Sequence, residues 1–101
     1  MQIILTTLLK NNAKKIKEEI LTLKLAVCTL ELESNSMFLW KGKIEEEKEV
    51  LLVFKTNEKL ARKLVEKLKE IHPYDIPFIA VLDVKANEEY LSWMNEEINK
   101  N

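Results

Sequence analysis

Residues 25–56 carry a strand-type pattern over a long stretch for a chain of 101 residues. Residues 25–32 alternate between two sets of side chains, as a strand does when its two faces meet different surroundings. Residues 50–54 form an unbroken apolar run, which predicts a strand in the interior of a sheet. Because strands usually have about five or six residues, part of this hairpin must project beyond the core.

The middle of the hairpin contains two features that bear on its shape. Residues 34–36 (Ser-Asn-Ser) predict a kink or bulge, after which residues 37–44 resume the strand. The charged run at 45–48 predicts a solvated turn that joins the two strands. Phe38, Leu39 and Trp40 then fall in the projecting part, where they would be exposed to water.

An exposed strand with an apolar face needs a cover. A second copy of the same chain in a closed ring is the simplest one, so we predict that Phe38, Leu39 and Trp40 lie at an interface between copies. The alternative is that the terminal helix of the same chain covers them.

The residues on either side of the hairpin predict an alternation of strands and helices. The predicted elements are a strand at 2–8, a helix at 12–23 capped by Asn11 or Asn12, a helix from the Asn57 cap to residue 71, a strand at 77–84 and a helix after the Asn87 cap. With the hairpin, the order is βαββαβ plus a terminal helix. This order predicts a ferredoxin-like α+β domain at 1–101, an antiparallel sheet with helices on one face.

Composition limits the classes of partner. A net charge of −1 and no basic stripe argue against a nucleic-acid partner. No apolar run is long enough to cross a bilayer, and the first residues lack the features of a signal peptide. Cys28 is the only cysteine, so no intrachain disulfide can form. This composition favours a cytoplasmic protein without a membrane partner.

Several segments, in order along the chain, resemble motifs of the CutA divalent-ion-tolerance family. They are residues 25–28 (LAVC), 36–44 (SMFLWKGKI), 49–56 (EVLLVFKT), 72–77 (HPYDIP) and 87–93 (NEEYLSW). The chain departs from the family pattern in several places, and at two of them Leu30 and Phe78 stand where polar residues are usual. The resemblance implies a PII-like homotrimer of ferredoxin-like subunits, in the cytoplasm, with a role in tolerance of copper and other divalent ions.

Cys28 and His72 are the best ligands in the sequence for Cu(II) or another divalent metal, because such metals prefer thiolate and imidazole. A single chain cannot supply four such ligands, so a site would need residues from several copies. The alternatives are that Cys28 is a small buried strand residue and that His72 only ends a helix before Pro73. No cofactor is required by either interpretation.

Lys55, Tyr74 and Asp75 form a second candidate group. Lys55 ends an inner strand and Tyr74 follows the second predicted helix, so these residues can reach a cleft between subunits. This group predicts a PII-like regulatory trimer that binds a small ligand, as the alternative to metal binding. Lys55 could instead pair with a glutamate, and Tyr74 could pack at an interface.

Catalysis is not expected. Cys28 and His72 could in principle act as nucleophile and base, but no third residue is placed to orient the histidine. Gly42 is the only glycine, so no glycine-rich phosphate loop exists.

Overall fold

Four strands form one antiparallel sheet, and helices cover one of its faces. The structure, a computed structural model, describes residues 1–99. Its elements are β1 (Gln2–Leu8), α1 (Lys10–Thr22), β2 (Cys28–Trp40), β3 (Lys43–Thr56), α2 (Glu58–Ile71), β4 (Ile79–Asp83) and α3 (Glu88–Asn99). The strand order is β2-β3-β1-β4. The predicted βαββαβ order with a terminal helix is therefore confirmed, and β3 lies inside the sheet as its apolar run predicted.

The core lies between the sheet and the first two helices. Alternate residues of β1 and β3 are buried there, and Ile4 pairs directly with Phe54. Helices α1 and α2 contribute the facing residues, among them Ile20 and Leu64. Successive side chains of a strand point to opposite faces of the sheet, so only every second residue of the 50–54 run is fully buried. The other face of the sheet carries no helix from α1 or α2.

The hairpin turn lies at Lys41 and Gly42, not at residues 45–48 as the charge pattern predicted. Both turn residues have positive φ, 51° for Lys41 and 77° for Gly42, as a two-residue type I′ turn requires. The charged run lies inside β3, in register with residues 35–38 of β2. The charged run indicated exposure correctly, but the better signal for the turn was Gly42, because glycine adopts positive φ without steric cost.

The predicted bulge at residues 34–36 is also absent. Ser34, Asn35 and Ser36 pair in continuous register with Glu49, Lys48 and Glu47. Because β1 pairs only with Val50–Thr56 of β3, the hairpin beyond that point is a two-stranded ribbon. We call residues 34–49 the arm. It gives the molecule its long dimension, since the principal extents are 46 × 25 × 21 Å.

Helix ends agree with the sequence prediction only in part. Asn57 caps α2, because its side-chain oxygen accepts a hydrogen bond from the Leu60 N–H at 2.9 Å. Helix α1 begins two residues earlier than predicted, after Leu9, with no side-chain cap. Asn87 directly precedes α3, and its carbonyl accepts the Leu91 N–H. Within residues 1–99, no helix is long and apolar enough to cross a membrane.

Candidate functional site

A groove of about 870 Å³ lies between the arm and the loop that joins α2 to β4. Four aromatic side chains line it: Phe38 and Trp40 from the arm, and Tyr74 and Phe78 from the loop. Five carboxylate residues line it as well, namely Glu45, Glu46, Glu47, Glu49 and Asp75. The groove therefore combines an apolar surface with negative charge.

Glu49 is the buried polar residue of the groove. Glu49 is only 8% exposed, because β2 and the loop after α2 pack against it. The Tyr74 hydroxyl donates a hydrogen bond to one carboxylate oxygen at 2.5 Å, and the Ser36 hydroxyl donates a short hydrogen bond to the other. A buried carboxylate with two donors is stable where an unpaired one would be costly. Glu49 thereby joins both strands of the arm to the loop.

Burial raises the pKa of the Tyr74 phenol above its usual range. The hydrogen bond to Glu49 raises that pKa further, because a phenolate would lie beside a carboxylate. Tyr74 therefore remains a neutral donor at ordinary pH and is not a general base.

His72 fixes the start of the loop against β1. Its Nδ1 accepts the Tyr74 N–H at 3.1 Å, so the neutral ring carries its proton on Nε2. Nε2 lies 3.1 Å from both the Thr7 carbonyl and the Thr6 hydroxyl oxygen, and it donates to them. The Thr6 hydroxyl in turn donates to the Phe78 carbonyl at 2.7 Å. Both ring nitrogens are thus used by the chain itself.

The structure places Cys28 far from His72. Cys28 begins β2 and pairs with Lys55, whereas His72 contacts Thr7, which pairs with Leu51. Four residues of strand separate those two positions on β3, roughly 13 Å. One chain therefore does not bring the two predicted metal ligands together.

Lys55 is likewise separated from Tyr74 and Asp75. Its ammonium lies 5.2 Å from the centre of the Tyr90 ring on α3, and six residues of β3, roughly 20 Å, separate it from Glu49. Tyr74 and Asp75 both line the groove, so the structure brings together two of the three predicted cleft residues. Glu49 and Ser36 belong to this site but were not predicted. The sequence signal that could have identified Glu49 is a carboxylate directly before the apolar run at residues 50–54.

Within residues 1–99, no three His, Cys, Asp or Glu side chains lie close enough to hold a metal ion. Carboxylates of the groove are spread along its length and do not converge on one point. A metal site of the usual kind would therefore need ligands from more than one chain.

All three predicted interface residues remain exposed in the single chain. Phe38 is 41%, Leu39 77% and Trp40 50% exposed, so the terminal helix does not cover them. Leu30, which departs from the family pattern, lies on the face of the sheet that α1 and α2 do not cover, where it pairs with Val53. Phe78, which also departs from that pattern, lines the groove with a half-exposed ring.

Comparison with known proteins gives a consistent result. A sequence profile of the CutA1 divalent ion tolerance protein family matches residues 1–97. The divalent-cation tolerance protein CutA of Pyrococcus horikoshii is 43% identical over 90 residues, which cover 88% of each chain. The crystal structure of CutA1 from that organism has a TM-score of 0.93 and 41% identity, over 99% of this chain and 100% of that one.

Two more distant solved structures share the fold. The PII-like protein CutA from a Nostoc species has a TM-score of 0.93 at 26% identity, over 98% of both chains. The protein from Archaeoglobus fulgidus, described as a periplasmic divalent cation tolerance protein CutA, has a TM-score of 0.92 at 28% identity, over 98% of this chain and 100% of that one. The family profile spans nearly the whole chain, so this protein belongs to the CutA1 divalent ion tolerance protein family.

Proposed function

We propose that this chain works as a cytoplasmic homotrimer in divalent-cation homeostasis, as a metal-binding protein and not as an enzyme. The observation that supports the trimer is apolar surface that the single chain leaves open. Met37, Leu39 and Ile44 are 66%, 77% and 71% exposed, and the register places them on one face of the arm. Exposed patches of this kind mark interfaces.

The face of the sheet that α1 and α2 do not cover supports the same assembly. Leu30, Leu32 and Leu82 are each nearly half-exposed there. Packing copies around a common axis would bury both this face and the arm, and it would leave no edge strand open. Light scattering at micromolar concentration should give the mass of three chains. The mass of one chain would contradict the proposal.

For the metal, we propose Cu(II) or another divalent ion, held where copies meet. Cys28 supports this, because its thiol is free and the residue is partly exposed. His72 is less available, since a metal would have to displace either the Tyr74 N–H from Nδ1 or the β1 contacts from Nε2. A site shared between copies would supply the ligands that one chain lacks.

Calorimetric Cu(II) titration of metal-free protein tests this proposal. We expect saturable binding at a whole-number ratio per trimer, weakened in Cys28→Ala. His72→Ala should weaken binding only if the imidazole leaves its hydrogen bonds, and thermal melting of the same variant shows whether the fold is intact. Absence of saturable binding in a folded trimer would count against metal binding by this protein. Cell fractionation tests the cytoplasmic location, and recovery of the protein outside the cytoplasm would contradict it.

A second candidate function is a PII-like regulatory trimer that binds a small ligand. The observation that favours it is the groove, whose volume lies in the range of about 300–1,000 Å³ typical of ligand sites. Tyr74 and Asp75 are the predicted cleft residues that line it. Lys55→Ala should leave ligand binding unchanged if the groove of one chain is sufficient, and should weaken it if a neighbouring copy brings Lys55 to the cleft.

A further inference from the structure

A buried hydrogen bond joins the arm to the loop after α2. The two strands of the arm pair with each other and with no third strand, because β1 pairs only with Val50–Thr56 of β3. No ion pair within residues 1–99 joins the arm to another segment. The Tyr74 hydroxyl, by contrast, lies 2.5 Å from the Glu49 carboxylate. The direction of the arm relative to the rest of the chain is therefore fixed at Glu49.

The connection continues on both sides of this carboxylate. Ser36 donates to the other oxygen of Glu49 diagonally across the ribbon, since its direct partner in the ladder is Glu47. On the loop side, the His72 ring bonds to β1 and to the Tyr74 N–H. We call the two hydrogen bonds that Ser36 and Tyr74 donate to Glu49 the latch. The latch connects both strands of the arm to a loop that is itself bonded to β1.

The residues predicted to contact another copy lie just beyond the latch. Phe38, Leu39 and Trp40 follow Ser36 closely along β2, and all three are exposed in the single chain. An isolated two-stranded ribbon is marginally stable in water. A surface that has to become ordered on binding lowers both the affinity and the rate of association, and prior ordering removes that cost. In an assembled protein the neighbours would hold the arm, so the latch matters most in the free chain.

We propose that the latch orders the arm in the free chain and so prepares it to bind a second copy of this chain. Ser36, Glu49 and Tyr74 are then positioning residues for assembly, because they act through the arm and need not touch the partner. The inference rests on the homotrimer of the proposed function, and it names the residues that control how readily that homotrimer forms.

Refolding from urea at several protein concentrations tests the proposal. Far-UV circular dichroism follows the folding of each chain, whose rate does not depend on concentration, and light scattering follows assembly, whose rate does. In Ser36→Ala the rate of assembly should fall about tenfold, the factor that 1.4 kcal/mol represents, because a buried carboxylate oxygen loses its donor and fewer free chains hold the arm in order. Tyr74→Phe removes the donor to the other oxygen and should act in the same direction.

Ser34→Ala is the matched control. Ser34 lies on the same face of β2 as Ser36, and its buried hydroxyl has no hydrogen-bond partner among the described residues. The assembly rate of Ser34→Ala should therefore equal that of the natural sequence.

Three outcomes would overturn the proposal. They are equal slowing of assembly in Ser34→Ala, an unchanged assembly rate in both Ser36→Ala and Tyr74→Phe, and a change confined to the folding rate, which would give the latch a role in folding alone. The natural sequence keeps the homotrimer a separate question. If it folds to the mass of one chain with no concentration-dependent phase, the assembly itself is contradicted, whereas normal assembly of the latch variants contradicts only the role of the latch.

Discussion

A single carboxylate holds three segments of this chain together. Glu49 lies at the base of the arm, and its two hydrogen bonds reach Ser36 on β2 and Tyr74 on the loop after α2. His72 extends the network to β1 through Thr6 and Thr7. In a nearly dry environment such bonds matter mainly because of what their loss leaves unpaired. Ser36, Glu49 and Tyr74 thus line the groove and also hold the arm and the loop together.

Tyr74→Phe should lower the free energy of unfolding by about 1–3 kcal/mol, because it leaves an oxygen of the buried Glu49 carboxylate without its donor. Urea unfolding measures the change. Tyr90→Phe is the control, since the described residues give the Tyr90 hydroxyl no hydrogen-bond partner, and it should change stability by less than about 0.5 kcal/mol. Equal effects of the two substitutions would show that the hydroxyl bond to Glu49 is not important for the fold.

His72 should make stability depend on pH. Burial lowers the pKa of its imidazole below the ordinary value of 6.5, although the Thr7 carbonyl and Glu49 act in the opposite direction. The unfolded chain therefore binds a proton at His72 more readily than the folded chain does, so stability is fully present above pH 6.5 and is lost as pH falls from there through the folded pKa. Protonation of Nδ1 would also remove the acceptor of the Tyr74 N–H.

Urea unfolding measures this dependence between about pH 5 and pH 8. The range extends roughly one and a half units on either side of the ordinary histidine pKa. His72→Gln should be less stable at neutral pH but should show a flatter dependence below 6.5. An unchanged slope in that variant would assign the dependence to other groups.

At the scale of elements, the hairpin shows how one residue sets the register of a long ribbon. The turn at Lys41 and Gly42 pairs Trp40 with Lys43, and the ladder then continues without a bulge to Cys28 and Lys55. Alternation along that ladder decides which side chains face the groove. A shift of one residue would move Phe38 and Glu45 to the opposite face.

Gly42→Ala should destabilise the protein by about 1 kcal/mol, because a residue with a β-carbon adopts positive φ at a cost. The cost is one of backbone conformation alone, since a β-carbon at this position would meet no atom within 4 Å. Thermal unfolding measures the change. Lys41→Asn should act in the opposite direction by a few tenths of a kcal/mol, roughly the preference of asparagine for this conformation. A destabilising Lys41→Asn would contradict this account of the turn.

At the scale of the whole molecule, the chain buries one face of its sheet and leaves the other face and the arm open. The buried core joins alternate residues of β1 and β3 to α1 and α2. The arm has only two strands, and an isolated two-stranded ribbon is marginally stable in water. Its order in the working protein therefore depends on Glu49 and, under the proposed assembly, on neighbouring copies.

Leu39→Glu should weaken the proposed trimer, because it places a charge on the most exposed apolar position of the arm. Light scattering over a dilution series measures the change, and we expect dissociation at protein concentrations where the natural sequence remains a trimer. Leu23→Glu, an equally charged change at a half-exposed position after α1, is the control and should leave the mass unchanged. An intact trimer in Leu39→Glu would exclude that side chain from the interface.

The sequence alone determined the element order, the interior position of β3 and the Asn57 cap. These follow from local rules: the period of apolar residues, and the need of the first helical N–H groups for an acceptor. The charge run at 45–48 misled the turn prediction because charge reports exposure and not chain reversal. The positive φ of Gly42 explains why the only glycine was the better signal.

The tertiary structure alone decided which residues form the site. Cys28 and His72 are separated, and Lys55 lies apart from Tyr74 and Asp75, because strand register fixes distances that spacing along the chain does not contain. Glu49 gained its role only when the loop after α2 folded back against the arm and brought a hydroxyl to a buried carboxylate. Local periodicity therefore predicts elements, whereas contacts between residues distant in sequence exist only after those elements have packed.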